Sequence, residues 1–117
     1  MPAPRLEAMM GAIAAPILPG KEQTWEKWIA DCKGPRKAEF DDMNQRFGLT
    51  SHRVWLQQTP DGHELVIAVH EGPGAEEYLG KLAASENDFD VWFRGVITDV
   101  HGIDFSKPLP PAAVQKL

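Results

Sequence analysis

Two of the four histidines in the sequence stand at the end of a predicted element with a carboxylate close by. Imidazole titrates nearest neutral pH of all side chains, so a histidine with a carboxylate neighbour can do general acid–base chemistry. His70 and Glu71 end a predicted strand, although adjacent strand residues point to opposite faces and would not share one site. Such a pair more often lies at a strand end that is exposed to water. The alternative is that His70 is a catalytic residue, and we keep it as a candidate.

The second candidate catalytic residue is His101, which follows a long helical pattern and precedes Gly102 and Asp104. A cation near the C-terminus of a helix interacts favourably with the helix dipole, and the imidazole ring can bond the last free carbonyl groups. We expect this capping role ahead of a catalytic one. Asp104 could orient the ring in either case.

A cationic, an aromatic and an amide side chain alternate on one predicted strand face, at Arg53, Trp55 and Gln57. Such a trio suits a pocket for an aromatic or carboxylate molecule. Cross-strand packing, with Arg53 in an interface salt bridge, is an equal alternative. Four tryptophans are more than a plain core of this size requires, and Trp92 on the last predicted helix joins the trio as a candidate ligand-binding residue. The predicted pocket lies between the hairpin and that helix and is lined by Trp55, Gln57, His70, Trp92 and His101.

The sequence has no motif with the usual spacing of metal ligands, neither Cys-x-x-Cys nor His-Glu-x-x-His. One hairpin register would place His52 opposite His70 and offer two imidazoles to a metal. More often, such a pair has its hydrogen bonds satisfied within the protein or is exposed to water. We predict no metal site and no cofactor. The single cysteine, Cys32, falls on an apolar helix face and cannot form an internal disulfide, so we expect a buried, inert thiol in a reducing cytoplasm.

Length and charge restrict the class of protein. The 117 residues suffice for one domain, which we place at residues 10–106, after a flexible lead-in at 1–9 and before an extended, proline-rich tail at 107–117. The net charge of −5, without a run of Lys or Arg, argues against nucleic acid and membranes as partners. No stretch has the length of a membrane span or the pattern of a signal peptide. These features predict a cytoplasmic globular protein.

The elements that must position these residues follow the order β-α-β-β-α-β. An apolar strand at residues 10–17 comes first, and we expect it to be buried on both faces. A short apolar stretch at 103–105 can form a last, edge strand. This is the order of the split βαβ unit of ferredoxin-like domains, an α+β fold with an antiparallel sheet and helices on one face. Apolar residues at helical spacing mark the helices, at Trp25, Trp28, Ile29 and Cys32, at Phe40, Met43 and Phe47, at Tyr78, Leu79 and Leu82, and at Phe89, Trp92, Phe93, Val96, Ile97 and Val100.

The hairpin turn at Thr59-Pro-Asp-Gly62 allows two registers. A type I turn with a glycine bulge pairs Thr59 with His63, whereas a two-residue Asp-Gly turn pairs Pro60 with His63. The second register separates apolar from polar residues more cleanly and puts Trp55 on the same face as His70. The first register suits a proline at the first corner, and we favour it for that reason. A slip of one residue exchanges the two faces of a strand, so the choice decides which side chains share a site.

With this order of elements, the chain resembles the dimeric α+β barrel superfamily, in particular antibiotic-biosynthesis-monooxygenase-like proteins. More narrowly, it is similar to a small family of bacterial proteins that has no activity to carry over. The resemblance extends from about residue 10 to 108, and its motifs are PILPGKE at 16–22, RVWLQ at 53–57 with the following Thr-Pro, FDVWFR at 89–94 and HGID at 101–104.

The resemblance implies a homodimer whose sheets pack face to face and, in active members, a pocket between sheet and helices. Monooxygenase-type members use an Asn with a Trp and an Arg or His there, and in this chain the only asparagines, Asn44 and Asn87, lie outside the predicted strands. By fold analogy the resemblance implies cofactor-independent acid–base or oxygenase chemistry on an aromatic substrate. Our first hypothesis is a homodimer that binds or transforms a small aromatic or carboxylate molecule. The alternative is a non-catalytic dimeric interaction or regulatory module.

Overall fold

The computed structural model describes residues 10–117, so the lead-in predicted at 1–9 lies outside the described residues. Within that range, no helix combines the length and the apolar character needed to cross a membrane. The elements in chain order are β1 (Met10–Pro16), α1 (Glu22–Lys33), α2 (Lys37–Arg46), β2 (Ser51–Gln58), β3 (Glu64–Glu71), a 3-10 turn (Ala75–Glu77), α3 (Tyr78–Ala84) and α4 (Asp88–His101).

Three strands form one antiparallel sheet in the order β1-β3-β2. Because β3 lies between β1 and β2, the two outer strands are parallel to each other but do not touch, which is the split βαβ arrangement. The molecule is therefore an α+β domain with a three-stranded antiparallel sheet and four helices, compatible with a ferredoxin-like fold.

The prediction of a last strand at residues 103–105 is wrong, because local hydrogen bonds form a turn in this segment. The Asp104 carboxylate accepts from the backbone N–H of Ser106 at 2.9 Å, which closes a turn where a strand would have to continue. The extended tail reaches the free edge of β1 instead, where the Ala113 N–H donates to the Ala12 carbonyl at 2.7 Å. That edge is therefore approached by the tail rather than by a regular strand.

The hairpin register favoured from the turn sequence is confirmed. The Thr59 N–H donates to the His63 carbonyl at 2.9 Å, and Gly62 takes a φ of 86°, a left-handed conformation that suits glycine. His52 consequently lies directly opposite His70.

This register fixes which strand residues face the helices. We call the helix-covered side the inner face and the other side the outer face. Because residues paired across strands share a face, the inner face carries every second residue of each strand. Its members are Gly11, Ile13 and Ala15 on β1, His52, Val54 and Leu56 on β2, and Val66, Ala68 and His70 on β3.

The expectation that the first strand is buried on both faces is wrong. Only Gly11 of β1 is buried, whereas Met10 and Ala14 are exposed. β1 is an edge strand, and these two residues belong to the outer face, which the helices do not cover. On the same face Trp55 of β2 is 48% exposed. The outer face thus leaves the apolar side chains of Met10, Ala14 and Trp55 open to solvent.

The helical faces predicted from the sequence are confirmed where they meet the sheet. α1 buries Trp25, Trp28 and Cys32, which lie three and four residues apart on one side of the helix. α4 begins at Asn87, whose side-chain oxygen accepts from the first backbone N–H groups of the helix, and ends at Gly102 with a φ of 73°. Both ends of α4 are therefore fixed by residues that favour them.

A buried ion pair, which the sequence analysis did not predict, ties α4 to α2. Asp90 has no exposed surface and accepts two hydrogen bonds from the Arg46 guanidinium, at 2.8 and 2.9 Å, and one from the Ser85 hydroxyl at 2.6 Å. Burial by itself raises the pKa of Asp90, but the hydrogen bonds from Arg46 and Ser85 outweigh it and lower the pKa overall. The two-pronged contact fixes the position of α4, and with it the wall of the cavity described next.

Candidate functional site

A cavity of about 270 Å³ lies between the inner face of the sheet and the helices. A water molecule occupies about 30 Å³ in the liquid, so this space corresponds to about nine waters. The volume is close to the lower end of the range of small-molecule pockets, about 300 Å³. Most of its walls are apolar, formed by Ile13, Ala15, Val54, Val66 and Ala68 from the strands and by Ile29, Phe40, Leu79, Phe93 and Ile97 from the helices.

His52, His70 and Tyr78 form a polar cluster at one end of the cavity, which we call the histidine–tyrosine cluster. The His70 ring stacks on Tyr78 with 4.1 Å between ring centroids and meets His52 edge-on at 4.5 Å. Asn44, on α2, places its side-chain oxygen 2.9 Å from Nδ1 of His52. Because an amide oxygen only accepts, Nδ1 of His52 carries the proton and Nε2 is left as an acceptor.

The whole cluster is uncharged at neutral pH. Burial lowers the pKa of half-buried His52 to about 3, with repulsion from His70 adding to it, and lowers the pKa of His70 to about 4. Burial also raises the pKa of Tyr78 well above its ordinary value. The prediction that His70 lies at a solvated strand end is wrong, because only 3% of the residue is exposed. The hairpin register places His70 on the face of the sheet that the helices cover.

His101 lines the opposite end of the cavity. Its Nδ1 lies 2.8 Å from the Pro16 carbonyl at the end of β1, so Nδ1 carries the proton and Nε2 is an acceptor. Burial lowers the pKa of His101, and the bond to Pro16 opposes that change. The expected partners were wrong, because the ring bonds β1 rather than the last carbonyls of α4, and the Asp104 carboxylate bonds Ser106. A neutral imidazole with a free Nε2 can accept a proton from a molecule in the cavity.

Three side chains that line the cavity each carry a polar atom without a hydrogen-bond partner, the indole nitrogens of Trp25 and Trp28 and the hydroxyl of Tyr78, and none of these atoms has surface open to the cavity. All three side chains are more than nine-tenths buried. The Trp28 N–H faces the sulfur of Cys32, a weak acceptor, without a hydrogen bond of normal geometry. A buried donor without a partner costs about 1–3 kcal/mol, so proteins rarely keep one without a reason.

Cys32 lies among these groups as a neutral thiol. Burial raises its pKa to about 12, nearby Asp31 adds to the rise, and Arg36 opposes it. The thiolate is the nucleophilic form of cysteine, so a thiol with this pKa is unreactive at neutral pH. The prediction of a buried thiol on the apolar face of α1 is confirmed.

Of the six residues predicted for the site, the fold brings only His70 and His101 to the cavity. Arg53, Trp55 and Gln57 alternate along β2 on the outer face. There the Arg53 guanidinium bonds Glu71 of β3 at 2.6 Å and lies 5.4 Å from the Trp55 ring centroid. The trio therefore shares one face, as its spacing predicts, but that face looks away from the cavity.

The sixth residue, Trp92, lies on the side of α4 outside the cavity. The Arg36 guanidinium stacks over its ring at 4.2 Å, while a bidentate bond to Glu39 holds the same guanidinium at 3.0 and 3.1 Å. Trp92 is half-buried and packs against the core. This contact is a cation–π interaction between α4 and the start of α2.

Within residues 10–117, no group of three or more His, Cys, Asp or Glu side chains is arranged to hold a metal ion. The pair of His52 and His70 forms as its register requires, but Asn44 occupies one ring nitrogen of His52. The polar groups of the cavity lining include the neutral imidazoles of His52, His70 and His101.

Comparisons of the chain with protein-family models, with curated proteins and with solved structures gave no match. The function is therefore inferred from the geometry of the cavity and the sheet.

Sequence reasoning missed three residues of the site, Trp25, Trp28 and Tyr78. Their helical spacing predicted apolar packing, and this is how most of each side chain is used. Whether the one polar atom of an aromatic side chain finds a partner depends on the tertiary neighbours, which periodicity does not reveal.

Proposed function

We propose that this protein binds a small, largely apolar, uncharged molecule in the cavity between the sheet and the helices. The observation that carries the proposal is the cavity of about 270 Å³ itself, whose walls are mostly apolar and whose polar groups include the neutral imidazoles of His52, His70 and His101. Ligand pockets typically combine apolar walls with a few polar groups that fix the orientation of the ligand.

The charges around the cavity favour an uncharged ligand over a carboxylate. The histidines of the cavity are neutral at pH 7, and the one cationic side chain among the lining residues, Lys33, is exposed. A buried carboxylate without a cation would carry a large desolvation penalty. The aromatic rings of Trp25, Trp28 and Phe93 in the walls suit a flat, ring-containing molecule.

The proposal is tested by filling the cavity. Ala68 lies in the middle strand on the inner face and lines the cavity, whereas Val91 is exposed on α4 outside it. Ala68→Phe therefore places a ring in the cavity, whereas Val91→Phe places a ring on the surface. In a titration with naphthalene, followed by quenching of tryptophan fluorescence, we expect the wild type and Val91→Phe to bind and Ala68→Phe not to bind. An equal response of all three proteins would contradict the proposal.

The acid–base or oxygenase chemistry implied by the resemblance to dimeric α+β barrel proteins stays a prediction. His101 and His70 line the cavity as neutral imidazoles, so both remain candidate bases for a bound molecule with an acidic proton. Native mass spectrometry of protein purified without added ligand would identify a molecule retained from the host and give its mass.

We also propose that the protein is a homodimer in which the outer faces of two sheets pack together, as in dimeric α+β barrels. The supporting observation is the open outer face with Trp55, 48% exposed, beside Ile67 and Val69. This face serves equally the alternative function, a non-catalytic interaction module. Light scattering after size-exclusion chromatography should give a dimer for the wild type and a monomer for Trp55→Lys. Val91, 43% exposed on α4, is the matched control, since Val91→Lys should leave the dimer intact.

A further inference from the structure

We infer that the ligand carries a hydrogen-bond donor, a hydroxyl or an N–H group, and gives this hydrogen bond to Nε2 of His52. His52 lies on the inner face of β2 and lines the cavity. The inference rests on the proposed binding function and deepens it, because it names both the polar group of the ligand and the atom that recognises it.

The bond to Asn44 fixes which nitrogen of His52 is the acceptor. The Asn44 oxygen lies 2.9 Å from Nδ1, and an amide oxygen only accepts, so Nδ1 carries the ring proton. The lowered pKa of His52 leaves the ring with that one proton at neutral pH, and Nε2 keeps its lone pair. Asn44 lies on α2, which the bidentate contact between Arg46 and Asp90 ties to α4. The direction of the acceptor is therefore set by the protein before a ligand arrives.

Nε2 of His52 is unpaired and accessible. Within residues 10–117, the bond to Asn44 is the one hydrogen bond of this side chain, so Nε2 has no partner there. The polar atoms that are buried without a partner in that range belong to Trp25, Trp28 and Tyr78, and Nε2 of His52 is not among them. An unpaired atom that is not buried has surface that another molecule can contact. In this respect Nε2 differs from the Tyr78 hydroxyl, which is closed off.

The accessible part of the His52 ring faces the cavity, because the rings around it are cavity walls. Four lining rings surround it, with centroids at 4.5 Å for His70, 5.0 Å for Phe40, 5.4 Å for Tyr78 and 6.3 Å for Phe93. A donor that reaches Nε2 therefore belongs to a molecule inside the cavity. A hydrogen bond among these rings is formed at low local dielectric, where it is stronger than in water.

A second imidazole of the cavity presents an acceptor in the same way. Nδ1 of His101 donates to the Pro16 carbonyl at 2.8 Å, which leaves Nε2 as an acceptor without a partner in the described part of the chain. This atom also lies outside the set of buried partnerless atoms. Both imidazoles whose proton is fixed by a bond to the protein thus offer a lone pair to a ligand.

Unpaired acceptors select a ligand by its donor. A hydroxyl or N–H group pairs with Nε2, whereas a ketone or ether oxygen would place one lone pair against another. A hydrocarbon would dehydrate Nε2 without replacing its hydrogen bond, which costs free energy in an apolar cavity. Aromatic alcohols and indoles combine a flat apolar body with a donor, so they form the class of ligand that the geometry fits best.

Three naphthalenes that differ at one position test the inference. 2-Naphthol carries a hydroxyl, 2-methylnaphthalene carries a methyl group of nearly the same size, and 2-methoxynaphthalene carries an oxygen without a proton. Calorimetry at pH 7.5, with protein titrated into the sparingly soluble probe, gives the affinities. The variants are His52→Phe and His101→Phe, and His63→Phe is the matched control because His63 is exposed outside the cavity.

The quantity that decides is the affinity for 2-naphthol divided by the affinity for 2-methylnaphthalene. This ratio cancels the effect of a variant on the shape of the cavity, and binding of 2-methylnaphthalene shows that the variant still folds. We expect His52→Phe to lower the ratio about three- to tenfold, which corresponds to one net hydrogen bond, and His63→Phe to leave it unchanged. The ratio of 2-methoxynaphthalene to 2-methylnaphthalene should not fall in His52→Phe.

Nitrogen NMR of the imidazole rings tests the same contact in the wild type without any variant. Nδ1 of His52 should be protonated and Nε2 should not, and 2-naphthol should shift the Nε2 resonance whereas 2-methylnaphthalene should not. Asn44→Leu removes the acceptor at Nδ1 and frees the proton to move to Nε2, so protonated Nε2 should appear and the preference for 2-naphthol should fall. A wild type that is protonated on Nε2 would overturn the inference.

The failure of this inference and the failure of the binding function give different results. If the wild type binds none of the three probes, the proposed binding function is overturned. If the probes bind but His52→Phe leaves the ratio unchanged, the cavity binds ligands and the role of His52 is overturned; a fall in His101→Phe instead would assign the donor to that residue. An equal fall for 2-methoxynaphthalene in His52→Phe would also overturn the inference, since it would mean that the ligand needs an oxygen and not a proton.

Discussion

Acid should destabilise this protein at a pH where its carboxylates are still ionised, because the fold holds His52 and His70 in the neutral form. The folded-state pKa of His52 is about 3 and that of His70 about 4, against an ordinary value of 6.5. Below pH 6.5 the unfolded chain therefore binds protons that the folded protein does not. Stability is complete above pH 6.5 and is lost as the pH falls towards the two folded-state values.

The magnitude follows from these pKa values. Between pH 7.5 and pH 5, an unfolded histidine with a pKa of 6.5 gains about 2 kcal/mol from protonation, which the folded form of either residue does not share. Two such residues give a loss of about 4 kcal/mol in the free energy of unfolding. The lowered pKa of His101 acts in the same direction. The lowered pKa of Asp90 acts mostly below pH 5, where the experiment stops.

Urea unfolding followed by tryptophan fluorescence at pH 7.5, 6.5, 5.5 and 5.0 measures this loss. His70→Phe keeps a ring beside Tyr78 and removes one titrating group, so the loss between pH 7.5 and pH 5 should shrink by about 2 kcal/mol. His63→Gln is the matched control, because His63 is exposed at the hairpin turn and lies outside the cavity.

A wild-type protein whose free energy of unfolding changes by less than about 1 kcal/mol between pH 7.5 and pH 5 would refute the reasoning. It would mean that water or another group solvates the His52–His70 pair enough for both rings to titrate normally. A loss of the expected size that His70→Phe leaves unaltered would locate the titrating groups elsewhere in the chain.

The remaining predictions concern the supports of the cavity, and urea unfolding measures each of them. Asp90→Ala should lower the free energy of unfolding by about 3 kcal/mol because it leaves a guanidinium without its buried partner, whereas Asp42→Ala, on the exposed side of the same guanidinium, should cost less than about 1 kcal/mol. Gly74→Ala should cost about 3 kcal/mol because its methyl group would overlap a backbone carbonyl at the end of α2; Gly80→Ala, in a helix with open space around it, should stabilise by up to about 1 kcal/mol. Asn87→Ala should cost about 1 kcal/mol through loss of the cap of α4.

The helices and the hairpin could be predicted from the sequence because local signals suffice for them. Trp25, Trp28 and Cys32 repeat at helical spacing, and that face is the one α1 buries. Pro60 and Gly62 determine the turn, because proline restricts φ to a negative value and glycine accepts a positive φ. The register of the hairpin follows from this turn. The failure at residues 103–105 is also local in origin, since the Asp104 side chain bonds the backbone two residues later.

The composition of the site could not be predicted to the same extent, because it depends on which strand face the helices cover. The predicted pocket grouped Trp55 with His70, a grouping that holds only in the register with a two-residue turn. In the register that forms, Trp55 pairs with Ile67, and His70 pairs with His52 on the other side of the sheet. A difference of one residue in register therefore moved the aromatic trio out of the cavity.

The neutral histidines of the cavity bear on whether it is a binding site or a packing defect. His52 and His70 have lowered pKa values, so the fold keeps two imidazoles away from water at a cost that hydrocarbon side chains would not carry. A ligand that binds only the folded state stabilises it as the ligand concentration exceeds the dissociation constant, and this gain adds to a total stability of about 5–15 kcal/mol for a domain. A packing defect of the same volume would be less costly if it were lined by hydrocarbon alone, so the cavity is better explained as a binding site.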